Sequence, residues 1–330
     1  NRSPMTAEST TVTPASGEAA DLSTNYKIYA LGLLVLVYVS NYADRVLLGI
    51  LLPSIKAEFA LNDLQLGFLN GTAFALFYAT LGIPIAMYAD RGDRKLVIVA
   101  ATAVWSLMTA VCGMAQNFWQ LALARVGVGV GEAGSGPPSH SIIADLFGLK
   151  SRATALGVFS QGISLGLVLG IYGGAQVAAH WSLQIGDFVL DGWRMAFVVM
   201  GLPGLLIALL VLLTLKEPAR GASEGRVLAG DAPPFSATVA FIRSQKSLVH
   251  VLIAATLTTL VGYTGVLWWP SFIVRSHGLS PADMSAFLAL VFGLGTGLGI
   301  FLGGYCADYF ARRDIRMISR VVTFAILFGL

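Results

Sequence analysis

Stretches of about 20 apolar residues recur along this chain, and no other feature restricts its fold as much. An α-helix rises about 1.5 Å per residue, so about 20 apolar residues carry it through the hydrocarbon of a bilayer. Between Tyr26 and Pro53 the charged side chains are Lys27, at the start, and the adjacent Asp44 and Arg45. A first span is expected at 28–52, with others at 66–88, 96–115, 118–142, 154–178, 194–215, 247–270 and 284–306, and a ninth starting near Met317. A signal peptide explains one terminal run and not a series. Apolar residues make up 56% of the chain and charged ones 12%, against about 25% charged in a soluble domain, whose surface must face water. The fold class is therefore an all-α polytopic membrane protein, with the lipid bilayer as its partner.

Basic residues mark one face. Arg91, Arg94 and Lys95, then Lys150 and Arg152, then Lys216, Arg220, Arg226, Arg243 and Lys246, and last Arg312, Arg313, Arg316 and Arg320 fall in alternate loops. The opposite loops hold little beyond Lys56, Arg194 and Arg275. The positive-inside rule makes the basic loops and the N-terminus cytoplasmic. The setting is a cell membrane, the inner membrane in a bacterium. The net charge of +3 is spent in these loops and points to no nucleic-acid partner. Cys112 and Cys306 lie in apolar stretches, which suggests neither a disulfide nor a metal site. No Walker loop or His-Glu-x-x-His is present, so neither ATP hydrolysis nor zinc chemistry is indicated. No cofactor, catalytic residue or enzymatic activity is expected, and a monomer is.

The chain also repeats itself. Pro53-Ser54-Ile55 returns as Pro270-Ser271-Phe272, Leu61-Asn62 as Leu279-Ser280, and Asp90 with Arg94-Lys95 as Asp308 with Arg312-Arg313, at offsets of 217 or 218 residues. Asn62 and Ser280 are placed to cap the helices that follow. A constant offset signals a parallel duplication. Residues 1–25 read as a disordered tail, 26–216 as a six-helix bundle, 217–246 as a cytoplasmic linker, and 247–330 as part of a second bundle. The duplication implies a full chain of roughly 430 to 450 residues with twelve spans, of which at least three are not in this sequence.

Ala86-Met87-Tyr88-Ala89-Asp90-Arg91-Gly92-Asp93-Arg94-Lys95 resembles the motif that follows the second helix in the major facilitator superfamily, with Ala86 and Asp93 where Gly is usual. Gly304, Asp308, Arg312 and Arg313 resemble its second copy, and Arg125 to Ala133 the Arg-containing motif of the fourth helix. The glycine-rich fifth span lacks the Gly-Pro pair typical of drug antiporters. A narrower likeness is to the spinster family, which moves lysolipids and sphingosine phosphate. It rests on Asn41-Tyr42-Ala43-Asp44-Arg45, Trp105-Ser106, Arg125 with Gly131-Glu132-Ala133, Asp145-Leu146-Phe147 and Glu217-Pro218-Ala219-Arg220-Gly221. The resemblance implies two six-helix bundles, the second incomplete here, and a secondary active transporter. Its substrate would be an anionic amphiphile, or else a small organic anion such as a uronate, moved with protons. It also implies a cytoplasmic gate of Asp90, Arg91, Arg94, Asp145, Asp308, Arg312 and Arg313, with Asp145 meeting Arg91 or Arg94.

Four charges fall inside spans: Asp44, Arg45, Arg125 and Glu132. Each costs at least about 2.5 kcal/mol unless paired or wetted. At about 1.5 Å per residue, Asp44 lies about 12 Å and Arg125 about 10 Å from the outer face. Glu132 lies on nearly the same helix face as Arg125, about 10 Å deeper. The superfamily's first and fourth helices line its central cavity, so the resemblance makes contact among these charges plausible. Arg125 is expected to pair with Asp44 or Glu132. A carboxylate poorly reached by water takes up a proton more readily, which suits Asp44 and Glu132 to proton coupling. Arg125, Arg45 and Tyr42 are then the substrate contacts. The alternative is a static salt bridge between spans one and four. Phe74, Phe77 and Tyr78 are expected to serve helix packing, and Trp268-Trp269 an interfacial belt.

Overall fold

A computed structural model describes residues 22–185, 188–224 and 235–311, together with Asp314, Met317, Arg320, Thr323 and Phe324. Helix α1 (Thr24–Phe59) is started by Ser23, whose side chain accepts from the Tyr26 amide, and closed by Ala60 in a left-handed conformation. Asn62 then forms a capping box with Gln65. This opens α2, which runs from Asp63–Gly67 through a π turn, Phe68–Thr72, into Ala73–Ala89. Asp93 caps α3 (Arg94–Met114), and Asn117 caps α4 (Phe118–Glu132). After a break comes α5 (Gly136–Leu146). The rod α6 follows, built from Leu149–Val168, a π turn at Leu169–Gly173 and Gly174–His180. An antiparallel hairpin, β1 (Ser182–Ile185) and β2 (Phe188–Asp191), leads into α7 (Gly192–Thr214). Helix α8 (Phe235–Ser244) lies within the residues read as linker. Next come α9 (Lys246–His277) and α10, which runs from Pro281–Leu288 through a π turn, Ala289–Leu294, into Gly295–Ala311. Ser280 caps α10, in the role expected of it as the counterpart of Asn62. Among the described residues seven helices are long and apolar enough to cross a membrane.

Two expectations fail at prolines, in opposite directions. The fourth span was expected to be continuous over 118–142, but it ends at Glu132 and restarts at Gly136. Pro137 and Pro138 are the reason. Within a continuous helix their rings would strike the carbonyls of Ala133 and Gly134, whereas in the first turn of a new helix a missing N–H costs nothing. Conversely, Pro53 was expected just past its span and Pro270 at the end of its own, yet both sit inside helices that continue to Phe59 and His277. Pro within a membrane helix is tolerated when neighbours satisfy the freed backbone groups.

The first bundle packs α1 against α6, α3 against α7, and α4 against α2 and α3. Helices in lipid gain little from hiding apolar surface, so close backbone approach at small residues drives their association. A Cβ built on Gly131 of α4 would lie 2.5 Å from the Trp105 amide nitrogen, and one on Gly129 would lie 2.6 Å from the Phe74 carbonyl oxygen. These two glycines set how near α4 comes to α3 and α2.

The second half meets the first toward the end expected to face outward. Asp63 is shared by Lys56 at 2.8 Å and Arg275 at 2.7 Å. The Asn70 amide donates to the Leu267 carbonyl at 3.3 Å, and Ser164 of α6 donates to the Gly293 carbonyl of α10. Residues 251–262 of α9 are exposed throughout, and burial begins at Tyr263.

Gly131→Ala should lower stability by about 1–3 kcal/mol, because the added methyl meets backbone that cannot step aside. Gly157→Ala, which would meet nothing within 4 Å, should leave stability equal or higher. Thermal unfolding of both variants in detergent checks the difference.

Candidate functional site

The centre of the first bundle holds a buried ion pair. Arg45 of α1 donates from Nε at 2.9 Å and from Nη2 at 2.7 Å to the same oxygen, Oε2 of Glu132, the last residue of α4. Its Nη2 also donates to Asn41 at 3.2 Å, and its Nη1 to the Tyr263 hydroxyl of α9 at 2.9 Å. Three rings surround the guanidinium. Tyr42 and Tyr78 lie 5.0 Å and Phe74 5.3 Å from its central carbon. Arg45 thus gathers residues from α1, α2, α4 and α9.

This pairing corrects the expected one. Arg125 was expected to hold Asp44 or Glu132 and holds neither. It is 1% exposed, its Nε and Nη1 have no protein partner, and its guanidinium lies 5.5 Å from the Phe74 ring. The geometry of α1 explains the switch. Neighbouring residues on a helix point about 100° apart, so Arg45 faces α4 while Asp44 turns to α3. There its Oδ2 accepts from Thr109 at 3.2 Å and its Oδ1 has no partner. Asn41 Nδ2, Trp105 Nε1, Ser106 Oγ and Glu132 Oε1 are likewise buried without partners. A buried polar atom left unpaired costs about 1–3 kcal/mol. A polar headgroup or bound water is what relieves such a cost. Phe74 and Tyr78, assigned above to helix packing, line this centre instead, since their rings face both arginines or Arg45 alone.

A second cluster closes the end with the basic loops, around a residue 1% exposed, Arg94. Its Nε donates to Glu217 at 2.6 Å, its Nη1 to Ser141 at 2.8 Å and to Asp145, and its Nη2 to the Pro218 carbonyl at 2.6 Å. Asp145 also accepts from the Gly221 amide, while Arg220 donates to the Ala89 and Gly92 carbonyls. The strand of chain after α7 is thereby laced onto α3 and α5. Of the two arginines considered for Asp145, Arg94 is the partner, and Arg91 is exposed. Asp90 is exposed too, and its carboxylate makes no hydrogen bond or ion pair among the described residues. Arg312 and Arg313 lie outside the described residues, as does the side chain of Asp308. Glu217 entered the sequence reading as part of a resemblance only. Tyr263 was missed, although it lies 218 residues after Arg45, at the offset of the internal repeat.

Comparison with known proteins agrees with this architecture. The family model of the Major Facilitator Superfamily matches residues 34–330. An MFS-type efflux pump of Mycolicibacterium smegmatis is 34% identical over 89% of this chain and 65% of its own length. Human protein spinster homolog 1 is 32% identical over 80% of the chain and 51% of its own. The hexuronate transporter of Bacillus subtilis is 27% identical over 90% and 69%. Among solved structures, a bacterial homolog of the human lysosomal transporter spinster, in an inward-facing and unoccupied conformation, aligns with a TM-score of 0.74 at 35% identity. It covers 88% of this chain and 64% of that one. The chain therefore spans between about half and two thirds of the first of these relatives.

The contrast between Arg94 and Asp90 is measurable. Arg94→Ala strands two carboxylates and should lower stability by about 3–5 kcal/mol, whereas Asp90→Asn should stay within about 0.5 kcal/mol of the parent. Chemical or thermal unfolding of the two variants under one condition checks it.

Proposed function

Because the chain belongs to the major facilitator superfamily and is of the spinster type, we propose that the whole protein is a secondary active transporter. Its substrate is an anionic amphiphile, such as a lysophospholipid or sphingosine phosphate, moved by alternating access and coupled to protons. The observation that carries this reading is the Arg45–Glu132 pair, buried among aromatic rings and bonded on one carboxylate oxygen only. An arginine held by a carboxylate is unavailable to an anion. Protonating Glu132 removes the competing charge and frees Arg45 for a phosphate or carboxylate headgroup, to which a guanidinium binds as a two-pronged donor. Arg125, with two N–H groups unpaired, supplies a second donor to the same headgroup. Tyr42, Phe74 and Tyr78 offer the tail an apolar wall. Asp44 serves as a second proton carrier, facing Thr109.

The cytoplasmic gate is built on the Arg94 cluster, which fastens the chain leaving α7 to the inner end of the first half, and Asp63 with Lys56 and Arg275 forms the outer gate across the two halves. The protein sits in the cell membrane with its N-terminus in the cytoplasm and works as a monomer. A second reading is a small organic-anion symporter, favoured by the 27% likeness to a hexuronate transporter over 90% of the chain. The same arginines would bind a uronate carboxylate, and the two readings part on whether a long tail is required.

Proteoliposomes holding the full-length protein, offered a lysolipid or a uronate with and without a pH gradient, separate the two substrates. Glu132→Gln imitates the protonated carboxyl and should still bind substrate, while a pH gradient no longer drives net flux. Asp44→Asn should blunt the pH dependence, and Arg125→Ala should abolish binding. A pair of structural worth alone lowers thermal stability in every variant but leaves pH-driven flux per folded molecule unchanged. Wild-type pH coupling in both carboxylate variants would overturn the proton role.

A further inference from the structure

Tyr263 is placed where neither the ion pair nor the gates account for it. Arg45 makes its bonds to Glu132 and Asn41 within the first half of the molecule. The bond from its Nη1 to the Tyr263 hydroxyl, at 2.9 Å, crosses to the second half. Along α9 the preceding residues, 251–262, are exposed, so Tyr263 is where that helix first tucks against the first bundle. Four residues on, the Leu267 carbonyl lies 3.1 Å from where a Cβ on Gly49 would stand. Outward of Tyr263 the two helices therefore pack backbone to backbone, and inward of it α9 stands clear.

We infer that the Tyr263 hydroxyl is a positioning group which holds Arg45 in the empty site and which an anionic headgroup displaces, thereby releasing the second half. This deepens the transport reading above and rests on it. The chemistry is an exchange of acceptors. A buried guanidinium N–H needs one, and Nη1 finds it in the phenol oxygen while the site is empty. A headgroup oxygen is a stronger, charge-assisted acceptor in the same place. Once it binds, the phenol loses its donor and α9 loses its polar tie to α1 at this level. Binding thus supplies the differential contact between two arrangements that any ligand-driven rearrangement requires. The titratable groups around Arg45 and its partner are Glu132 on α4, Tyr38, Tyr42 and Asp44 on α1, Tyr78 on α2, Tyr263 on α9, and Arg125 beyond Glu132. Of these, Tyr263 alone belongs to the second half.

The test compares the full-length protein with Tyr263→Phe, which removes one oxygen and keeps the ring, and with Tyr263→Gln, which restores an acceptor. Spin labels at Leu64, near the start of α2, and Leu279, just before α10, both exposed, report the separation of the halves in lipid nanodiscs without substrate, and again with lysophosphatidylglycerol as the probe anion. Without substrate, Tyr263→Phe should raise the ratio of separated to closed molecules at least threefold. Tyr263→Gln should return it to the wild-type value. The probe should bind Tyr263→Phe more tightly than wild type, by about threefold or more, because no phenol competes for Nη1. Equal substrate-free populations in wild type and Tyr263→Phe overturn the inference, and so does a Gln variant that behaves like Phe. A hydroxyl of merely structural worth would lower the melting temperature and weaken the probe, the opposite sign. Failure of the transport reading would show separately, as absent flux from wild-type proteoliposomes.

Discussion

A charged pair at the centre of an apolar bundle is a liability before it is a device. Taking Arg45 and Glu132 out of water costs several kcal/mol per ion, and their attraction repays this only if the remaining hydrogen-bonding groups are satisfied. On the arginine side they are: Nε, Nη1 and Nη2 all find acceptors, and three rings cover the faces of the guanidinium. The carboxylate side is incomplete, with Oε1 buried and unpaired. The cation is therefore well held while the anion is only half held. Such an imbalance favours a group that changes its charge over one that keeps it, and it makes Glu132 the weaker member of the pair.

The backbone around the pair is arranged to keep it there. Glu132 is the last residue of α4, and the helix cannot run on because Pro137 and Pro138 forbid it. Just before it, Gly129 and Gly131 let α4 press backbone to backbone on α2 and α3. The carboxylate is thus carried by a helix end pinned from two sides and freed on the third. A continuous helix would have placed the same side chain in a regular stack, with its backbone carbonyl committed to the Gly136 amide. At the break that carbonyl accepts instead from the amide and hydroxyl of Ser135, both at 3.5 Å.

The spans and their caps were legible in the sequence because each depends on residues close together in the chain. Asn62 caps α2 because a short polar side chain there reaches the amide of Gln65, whatever lies nearby. Depth follows from the rise per residue, which needs no tertiary information. The facing of one helix toward another does. Asp44 and Arg45 share a depth, and only the packing of α1 against α3 and α4 decides that the acid meets Thr109 and the base meets Glu132. Phe74 and Tyr78 carried no signal that would separate a cavity wall from a packing face. The break in α4 was different. Pro137 and Pro138 stood in the sequence as a stop, but the apolar run on either side concealed it. At the basic end, Asp90 and Arg94 follow the same helix, yet the Gly92 amide closes a turn on the Tyr88 carbonyl. The chain reverses between them, leaving the acid in solvent and burying the base.

The duplication adds the final constraint. Helices α1 and α9 are related by the repeat, and they meet each other at pairs separated by its offset: Arg45 with Tyr263, and Gly49 with Leu267. Two copies of one helix that touch at nearly equivalent positions must cross close to the axis relating the halves. Anything placed there is felt by both. Yet the copies differ at this point, since the proline alignment sets Val261 and Gly262 where the first copy has Asp44 and Arg45. A charge on the axis in both copies would bring like charges together where water screens them poorly. Keeping the acid and base in one copy, and a phenol beside the axis in the other, avoids that repulsion. The first half holds the charge and the second half reads it through one hydroxyl, so a near-symmetric scaffold carries an asymmetric site.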